Sequence, residues 1–173
     1  MATPGFGGKI LFVNLSTKEI RALDSQKYEM YGGGHGTATA LFWEFCVAPG
    51  DWDMQDAFHP KNMVALMTGA MAGTGTPAAA RTSVSGLSPQ CYPVQWFCHS
   101  NFGGAFATML KFAGWDGVAV VGKAESPVYI NIVDDKVTLE DAKALWGLDS
   151  WKTQEEIWKS SGVRFGEEWW RLD

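Results

Sequence analysis

Two stretches with the same order of predicted elements, one toward each end of the chain, constrain the fold most. Lys9–Leu15 and Glu19–Leu23 predict the strands of a hairpin, and glycines then lead into a predicted helix at Thr37–Cys46. A hairpin, a glycine-containing approach and a helix recur in that order over Val128–Ser160. Either the order recurs by chance, or the chain carries a pseudo-symmetric domain whose second half is cut short after about residue 160. In the second case another chain has to supply the missing part.

Short strands and helices fill the chain between these stretches. Hydrophobic periodicity and the positions of glycine and proline predict strands at 62–70, 81–87 and 116–124 and a helix at 105–114. They also predict a long irregular loop at 88–104. The second hairpin turns at Asp134-Asp135, and Thr153 with Glu156 predicts a capping box for a last helix that Gly162 stops. We therefore expect an α+β fold with a few short helices.

Composition excludes several classes of protein. With 46% hydrophobic and 19% charged residues, the 173-residue chain is expected to form one globular domain, residues 1–173. With a net charge of −5 and no basic stripe, the sequence gives no indication of a surface that binds nucleic acid. No apolar run is long enough to span a bilayer, and the N-terminus lacks a basic start followed by an apolar core, so we expect a cytoplasmic protein without a membrane span.

Cysteines and tryptophans add two expectations. Three cysteines at irregular spacing form no disulfide framework, which suits a reducing compartment. Of the nine tryptophans, several crowd the last quarter of the chain (Trp151, Trp158, Trp169 and Trp170), and the last two stand close to its end. Large aromatics that a monomer has difficulty covering usually mark a partner surface.

The segment 73–84 (GTGTPAAARTSV) places small residues together and sets one arginine, Arg81, beside them. It holds no base, nucleophile or metal ligand. Small side chains let a large anion approach the backbone, and the guanidinium is a planar fork of donors suited to phosphate or carboxylate. A tight turn followed by a surface arginine explains the segment equally well.

No other motif supplies chemistry on its own. Gly32–Gly36 before a helix is either a phosphate cradle or a turn, and it fits neither the P-loop nor the Rossmann spacing. Cys91, Cys98 and His99 match no common zinc or iron–sulfur pattern and are interpreted as core thiols and a loop histidine. His35 has no partner visible in the sequence that would make it a general base. We assign no catalytic residue and no metal ligand to this chain, so a bound cofactor would have to supply any chemistry.

One constellation remains after these eliminations. Arg81 follows the small-residue loop, and Asn101 precedes Gly103-Gly104 at a predicted helix start. A guanidinium, an amide side chain, bare glycines and a helix N-terminus together form a platform for an anion or a heterocycle.

Five segments in order resemble the N-terminal domain of the tungsten-containing aldehyde:ferredoxin oxidoreductases. They are GKILFVNLSTKEI, GTGTPAAAR, SPQ, SNFGGAFATMLKFAGWDGVAVVGKAESPVYI and DAKALWGLDSWKTQEEI, and the similarity runs from about Gly8 to Ile157. The resemblance implies a saddle of two twisted β-sheets related by a pseudo-twofold axis. It also implies a tungsten bis-pyranopterin on that saddle, with one pterin over each sheet.

The same resemblance implies roles for three residues. Arg81 matches the family's arginine that reaches the pterin and lies between it and a 4Fe–4S cluster. Asn101 matches the asparagine that contacts the phosphate and magnesium region of the cofactor, and Gly103 brings backbone close to the pterin. The small residues would then make room for a flat metallopterin.

The chain departs from the family pattern in four places. Family members are much longer, and their cluster cysteines and further pterin-binding loops lie in later domains. The loop from Gln90 to Ser100 is longer than in typical members, so the match of Asn101 depends on where a gap is placed. His35 stands where some relatives carry arginine, and Val163–Asp173 has no clear counterpart.

The implied function is that of a split or truncated tungsten oxidoreductase. This chain would hold part of the metallopterin, and a companion polypeptide would provide the 4Fe–4S ligands and the substrate pocket. The implied reaction oxidises an aldehyde to a carboxylate, with ferredoxin as electron acceptor. A reductase of an acyl- or aryl-CoA is the second hypothesis, because RTSVSGLSPQ resembles the branch with the tungsten benzoyl-CoA reductases. A non-catalytic subunit with a degenerate saddle is the third.

Overall fold

A computed structural model describes residues 3–162 of the chain. The elements form a six-stranded sheet, a two-stranded sheet and a few short helices, which confirms the predicted α+β class. The strands are β1 (Lys9–Asn14), β2 (Glu19–Asp24), β3 (Met63–Thr68), β4 (Thr82–Ser88), β5 (Trp96–Phe102), β6 (Gly117–Val121), β7 (Val128–Val133) and β8 (Lys136–Asp141). The α-helices are α1 (Gly34–Phe42), α2 (Phe106–Phe112) and α3 (Ser150–Ser160).

The large sheet has the strand order β2-β1-β6-β3-β4-β5. β1 and β6 run parallel, with Ile10 opposite Gly117, whereas every other neighbouring pair in this sheet is antiparallel. β3 and β5 therefore end where β1, β4 and β6 begin, along the edge of the sheet that runs across the strand ends. Because α1 also starts beside this edge, through a bridge between Gly33 and Gly69, the chain gathers several loops and a helix N-terminus there.

The core lies between one face of this sheet and α1. Ile10, Met63 and Met67 are almost fully buried on the sheet, and Leu41 and Ala38 are equally buried on α1. Burial alternates along Met63–Met67 of β3, as expected for a strand with one face in the core. β1 differs, because its four central residues are all buried, as expected for a strand covered on both faces.

A buried ion pair fastens the N-terminal segment to the loop before β6. The Lys111 ammonium and the Asp116 carboxylate are in contact, and their side chains are only 7% and 6% exposed. The carboxylate also accepts hydrogen bonds from Gly7 N (2.7 Å), Gly8 N (2.9 Å) and Ser25 Oγ (2.6 Å). A buried carboxylate needs several such partners to offset the loss of its hydration. The ion pair of Lys111 and Asp116 also joins α2 to the N-terminal segment.

The chain divides into two compact units. The larger consists of residues 1–125 and the hairpin tip 131–138, and the smaller of residues 126–130 and those from 139 onward. In the smaller unit Asp149 caps the N-terminus of α3, because its side chain accepts a hydrogen bond from Lys152 N at 2.8 Å. None of the residues of α3 is buried. The single domain 1–173 and the saddle with a pseudo-twofold axis stay predictions from the resemblance.

Most predicted strands are confirmed within a few residues, whereas α1 starts at Gly34 and not at the predicted Thr37. Two further predictions are wrong. The long irregular loop at 88–104 contains strand β5, which pairs with β4 from Trp96 to Phe102. The capping box of Thr153 and Glu156 does not form, because α3 starts earlier and Asp149 caps it. Gly162 does follow the last helix with a left-handed φ of 71°. Trp169 and Trp170 lie outside the described residues.

No helix among residues 3–162 has both the length and the apolar character needed to cross a bilayer.

Candidate functional site

The structure brings Arg81 and Gly103 together at the edge where β4 begins and β5 ends. A Cβ atom placed on Gly103 would lie 3.8 Å from Cδ of Arg81 and would meet nothing else within 4 Å. Ser83 pairs with Asn101 across the two strands, two residues further into the sheet. The register of β4 and β5 therefore gathers the three residues that the sequence singled out.

Arg81 and Asn101 are polar side chains without partners in the described part of the chain. Both are exposed, and neither forms a hydrogen bond, an ion pair or a ring contact with any of residues 3–162. An exposed guanidinium beside a bare glycine leaves its donors available to a planar anionic or heterocyclic ligand.

The glycine positions near this edge lack a side chain for different reasons. Gly73 has a φ of 76°, and a Cβ there would lie 3.1 Å from Cβ of Lys111, so packing against α2 explains it. Gly104 has a φ of 85°, which favours glycine by conformation alone. Gly103 has neither a left-handed φ nor a close neighbour inside the protein. Its lack of a side chain fits a ligand that approaches from outside.

Two of the glycines at 32–36 serve packing. A Cβ on Gly33 would lie 2.9 Å from the Thr68 carbonyl oxygen, and one on Gly36 would lie 2.2 Å from that of Tyr31. Gly33 therefore lets the start of α1 approach the end of β3 closely, and Gly36 lets the helix pack on the turn that precedes it. The turn interpretation of this segment is therefore favoured over the phosphate cradle, although the turn is tightly packed.

A row of polar side chains extends from Asn101 along the sheet face that meets α1. Side chains alternate along a strand, so Phe97, His99 and Asn101 of β5 share this face. The His35 and His99 rings lie with centroids 4.2 Å apart, and His35 Nδ1 is 3.1 Å from Ser85 Oγ. Burial, followed by the charge of His99, lowers the pKa of His35, so its imidazole is neutral at pH 7.

Ser85, His99 and the buried hydroxyl of Ser83 were missed from the sequence. Ser83 Oγ and Thr82 Oγ1 are buried and have no hydrogen-bond partner in the structure. The alternation of Phe97, His99 and Asn101 would have revealed the shared face, but the segment was interpreted as a loop because two prolines and two glycines surround it.

The described residues hold no self-contained metal centre. No group of three or more His, Cys, Asp or Glu side chains within residues 3–162 is arranged to hold a metal ion. The cysteines are free thiols: Cys46 is buried, whereas Cys91 and Cys98 are partly exposed. The residues present fit the recognition of an organic anion better than direct coordination of a metal.

Comparisons with known proteins identify the family of the chain. Residues 10–169 match the family model described as "Aldehyde ferredoxin oxidoreductase, N-terminal domain". The tungsten-containing aldehyde ferredoxin oxidoreductase of Thermococcus kodakarensis is 36% identical over 167 residues, covering 91% of this chain and 25% of that protein. An aliphatic sulfonate oxidoreductase, WOR-like subunit, of Pyrococcus furiosus is 30% identical, covering 83% of this chain and 22% of the relative.

A solved structure is also similar. It is the active-site complex BamBC of benzoyl-coenzyme A reductase with 1,5-dienoyl-CoA, with a TM-score of 0.81, 32% identity, and coverage of 91% of this chain and 23% of that chain. The fold and these matches define a domain of the oxidoreductase class. The chain belongs to the aldehyde ferredoxin oxidoreductase family and corresponds to its N-terminal domain. It spans about a quarter of the length of the curated relatives that it matches.

Proposed function

We propose that this chain forms a metallopterin-binding part of a tungsten-dependent oxidoreductase, in which Arg81, Asn101 and Gly103 contact the cofactor. One observation carries the proposal: within residues 3–162 nothing in conformation or packing requires glycine at position 103, and Gly103 lies beside an exposed arginine that has no partner among those residues. Family membership supports the identity of the ligand as a tungstopterin.

Each residue has a distinct binding role in this proposal. The Arg81 guanidinium donates hydrogen bonds to acceptor atoms of the pterin, and the position of Gly103 leaves room for a flat ring. The Asn101 amide, which offers both a donor and an acceptor, faces the phosphate end with its magnesium ion. When bound, the tungstopterin supplies two-electron redox chemistry. The residues of this chain bind and orient it and provide no general acid or base.

The reaction that we propose is the oxidation of an aldehyde to a carboxylate. In net terms an aldehyde and water give a carboxylate, protons and two electrons, and the electrons pass through a 4Fe–4S cluster to ferredoxin. The names of the most similar curated relatives support this choice. Because the chain spans only a quarter of those proteins, residues outside it would hold the cluster and the substrate.

A reductase of an acyl- or aryl-CoA is the second candidate. The observation that favours it is the similarity in fold and sequence to the BamBC complex of benzoyl-coenzyme A reductase. Arg81, Asn101 and Gly103 would keep the same roles in that enzyme, since they bind the cofactor and not the substrate. A screen of aldehydes against acyl- and aryl-CoA thioesters on the assembled enzyme distinguishes the two reactions.

We further propose that a companion polypeptide completes the site. Trp146 and Trp151 are 77% and 73% exposed, and α3 buries none of its side chains in the described structure. Large exposed aromatics are typical of surfaces that another polypeptide covers. The benzoyl-coenzyme A reductase structure, which is itself a complex, supports this arrangement.

The decisive experiment measures metal content by elemental mass spectrometry on natively purified material, normalised to this chain. We expect stoichiometric tungsten, with iron and a larger polypeptide in the same preparation. The Arg81→Ala variant should lose most of the tungsten, and Arg81→Lys should retain an intermediate amount, because a point charge replaces a bidentate fork. Arg21→Lys is the matched control, since Arg21 lies on β2 at the opposite edge of the sheet and forms an ion pair with Glu19.

Two outcomes would contradict the proposal. Well-folded native material without tungsten or molybdenum would support the non-catalytic scaffold instead. Equal tungsten content and equal cluster reduction in wild type and Arg81→Ala would remove the role of Arg81 and leave the family assignment intact.

A further inference from the structure

Cys91 and Cys98 form a pair of thiols that the proposed function does not use. Their Sγ atoms lie 3.4 Å apart, and both cysteines are free and partly exposed. Cys98 lies on β5, and Cys91 lies on the loop that leads into this strand. The two sulfurs are therefore in van der Waals contact at a surface that small molecules can reach.

The strand next to Cys98 presents no side chain opposite it. Cys98 is opposite Gly86 on β4, so the neighbouring strand presents no side chain at that position. A disulfide requires sulfurs about 2.05 Å apart, so the two atoms need to approach by little more than ~1 Å. Cys91 lies on a connecting loop, which can move by this amount without disturbing the register of β5.

The two thiols interact directly. The hydrogen bond with Cys91 is the largest cause that raises the pKa of Cys98, followed by loss of solvation and the nearby charge of Cys91. Because the two Sγ atoms lie 3.4 Å apart, Cys98 is placed to attack the sulfur of Cys91 once that sulfur has reacted. In disulfide exchange the thiolate is the attacking species.

We propose that Cys91 and Cys98 form a redox-active dithiol site whose substrate is a low-molecular-weight disulfide. Cys91 attacks one sulfur of that disulfide, forms a mixed disulfide and releases one thiol. Cys98 then attacks the sulfur of Cys91, which forms the Cys91–Cys98 bond and releases the second thiol. The protein loses two hydrogens and two electrons, and the small disulfide gains them as two thiols.

Closing this bond changes the attachment of one loop. The segment between the cysteines carries Val94, Gln95 and Trp96, which line a cavity of about 590 Å³ together with Phe42, Trp43 and Leu87. The Gln95 side chain also accepts a hydrogen bond from Ala57 N. The dithiol would therefore fix one rim of an apolar cavity in its oxidised form and release it in its reduced form.

The test treats the purified chain, together with any chains that co-purify, with glutathione buffers of increasing oxidised fraction. Free thiols are then alkylated, and tryptic peptides are weighed. Residues 82–111 form one tryptic peptide that contains Cys91 and Cys98, whereas Cys46 lies in the peptide 28–61. We expect the first peptide to lose two hydrogens and to escape alkylation once the buffer is oxidising.

Variants and an internal control make the result specific. Cys91→Ser and Cys98→Ser should each abolish the loss of two hydrogens, and Cys98→Ser should accumulate a glutathione adduct at Cys91. Cys46 is 2% exposed, and burial raises its pKa to about 11, so it should stay reduced and become alkylated only after unfolding. Cys46→Ser should oxidise like the wild type.

Three results would overturn the inference. In the first, Cys91 and Cys98 both stay open to alkylation in the most oxidising buffer. In the second, a stable glutathione adduct persists in the wild type as it does in the single variants. In the third, the oxidised product is a dimer linked between chains. None of these depends on tungsten content, so the inference and the proposed function fail separately.

Discussion

Arg81 and Gly103 face each other across the ends of β4 and β5, with 3.8 Å between Cδ of Arg81 and the place where a Cβ of Gly103 would lie. Nothing else in the described chain approaches that place within 4 Å, and the backbone at Gly103 has no left-handed φ. The protein itself therefore tolerates a side chain at this position. A bound ligand would not, and this difference separates a structural glycine from a binding glycine.

Substitutions at Gly103 should separate binding from folding. Gly103→Ala adds a methyl group at an ordinary contact distance, so we expect the free energy of unfolding to change by less than about 0.5 kcal/mol. The Gly103→Leu variant should also fold, but it should retain far less tungsten, because the leucine side chain occupies the place proposed for the pterin. Denaturant unfolding and elemental mass spectrometry measure the two effects. Full tungsten retention in Gly103→Leu would refute the close approach.

Gly104 provides the matched control for this series. Its φ of 85° disfavours any side chain, so Gly104→Ala should cost roughly 1 kcal/mol of stability whether or not a ligand binds. The two neighbouring glycines should therefore give opposite patterns, one affecting the ligand and the other the fold.

Thr82 carries a hydroxyl that stability does not require. The residue is fully buried, and its Oγ1 has no hydrogen-bond partner in the structure. Because an unpaired buried hydroxyl is costly, Thr82→Val should leave the free energy of unfolding unchanged or raise it by up to about 1 kcal/mol. Denaturant unfolding at fixed pH measures the change, and a loss of more than that amount would show that the hydroxyl has a partner.

The buried ion pair of Lys111 and Asp116 should dominate the stability of the N-terminal segment. Asp116→Ala removes the partner of a buried ammonium and the acceptor for Gly7 N and Gly8 N. We expect a loss of about 3–5 kcal/mol, which is the usual cost of leaving a buried charge unpaired. Lys143→Ala, which breaks an exposed pair with Asp141, should cost less than about 0.5 kcal/mol. Similar losses in both variants would contradict the role of burial.

Acidification should destabilise the chain through His35. Burial and the neighbouring His99 lower the pKa of His35 in the folded state, so the unfolded chain binds its proton more readily. The stability that depends on a neutral His35 is present above the ordinary pKa of about 6.5 and is lost as the pH falls toward the lowered folded value. The unfolding free energy of His35→Gln should therefore vary less with pH in this window than that of the wild type. Identical slopes would contradict the lowered pKa.

Local patterns in the sequence were sufficient for most of the fold. The continuous apolar runs of β1 and β3 predict their own strands, and the Asp134-Asp135 turn predicts the second hairpin. β5 was missed because the polar residues His99, Ser100 and Asn101 interrupt its apolar pattern and because Pro89 and Pro93 precede it. Only pairing with β4 makes this segment a strand, and pairing partners distant in sequence leave no local signal.

Some residues of the candidate site were predicted from the sequence, and the contacts of others were missed. Arg81, Asn101 and Gly103 were identified from their residue types and from a family resemblance, and the structure adds that Arg81 and Gly103 are neighbours. His35 was interpreted as lacking a partner and His99 as a loop histidine, since the two are far apart in the chain and meet only through the packing of α1 on β5. The nearness of Cys91 and Cys98 was equally hidden, because the loop between them has no regular pattern.

The position of β6 determines the order in which the large sheet can be assembled. β6 lies between β1 and β3, so the β1–β2 hairpin and the β3–β4–β5 meander share no strand pairing until residues 117–121 are available. On a ribosome these two fragments would emerge first and wait with exposed strand edges until the central strand leaves the exit tunnel. The strand that joins the sheet follows directly after α2, so the segment that carries Asn101 and Gly103 leaves the exit tunnel before the two fragments can be joined.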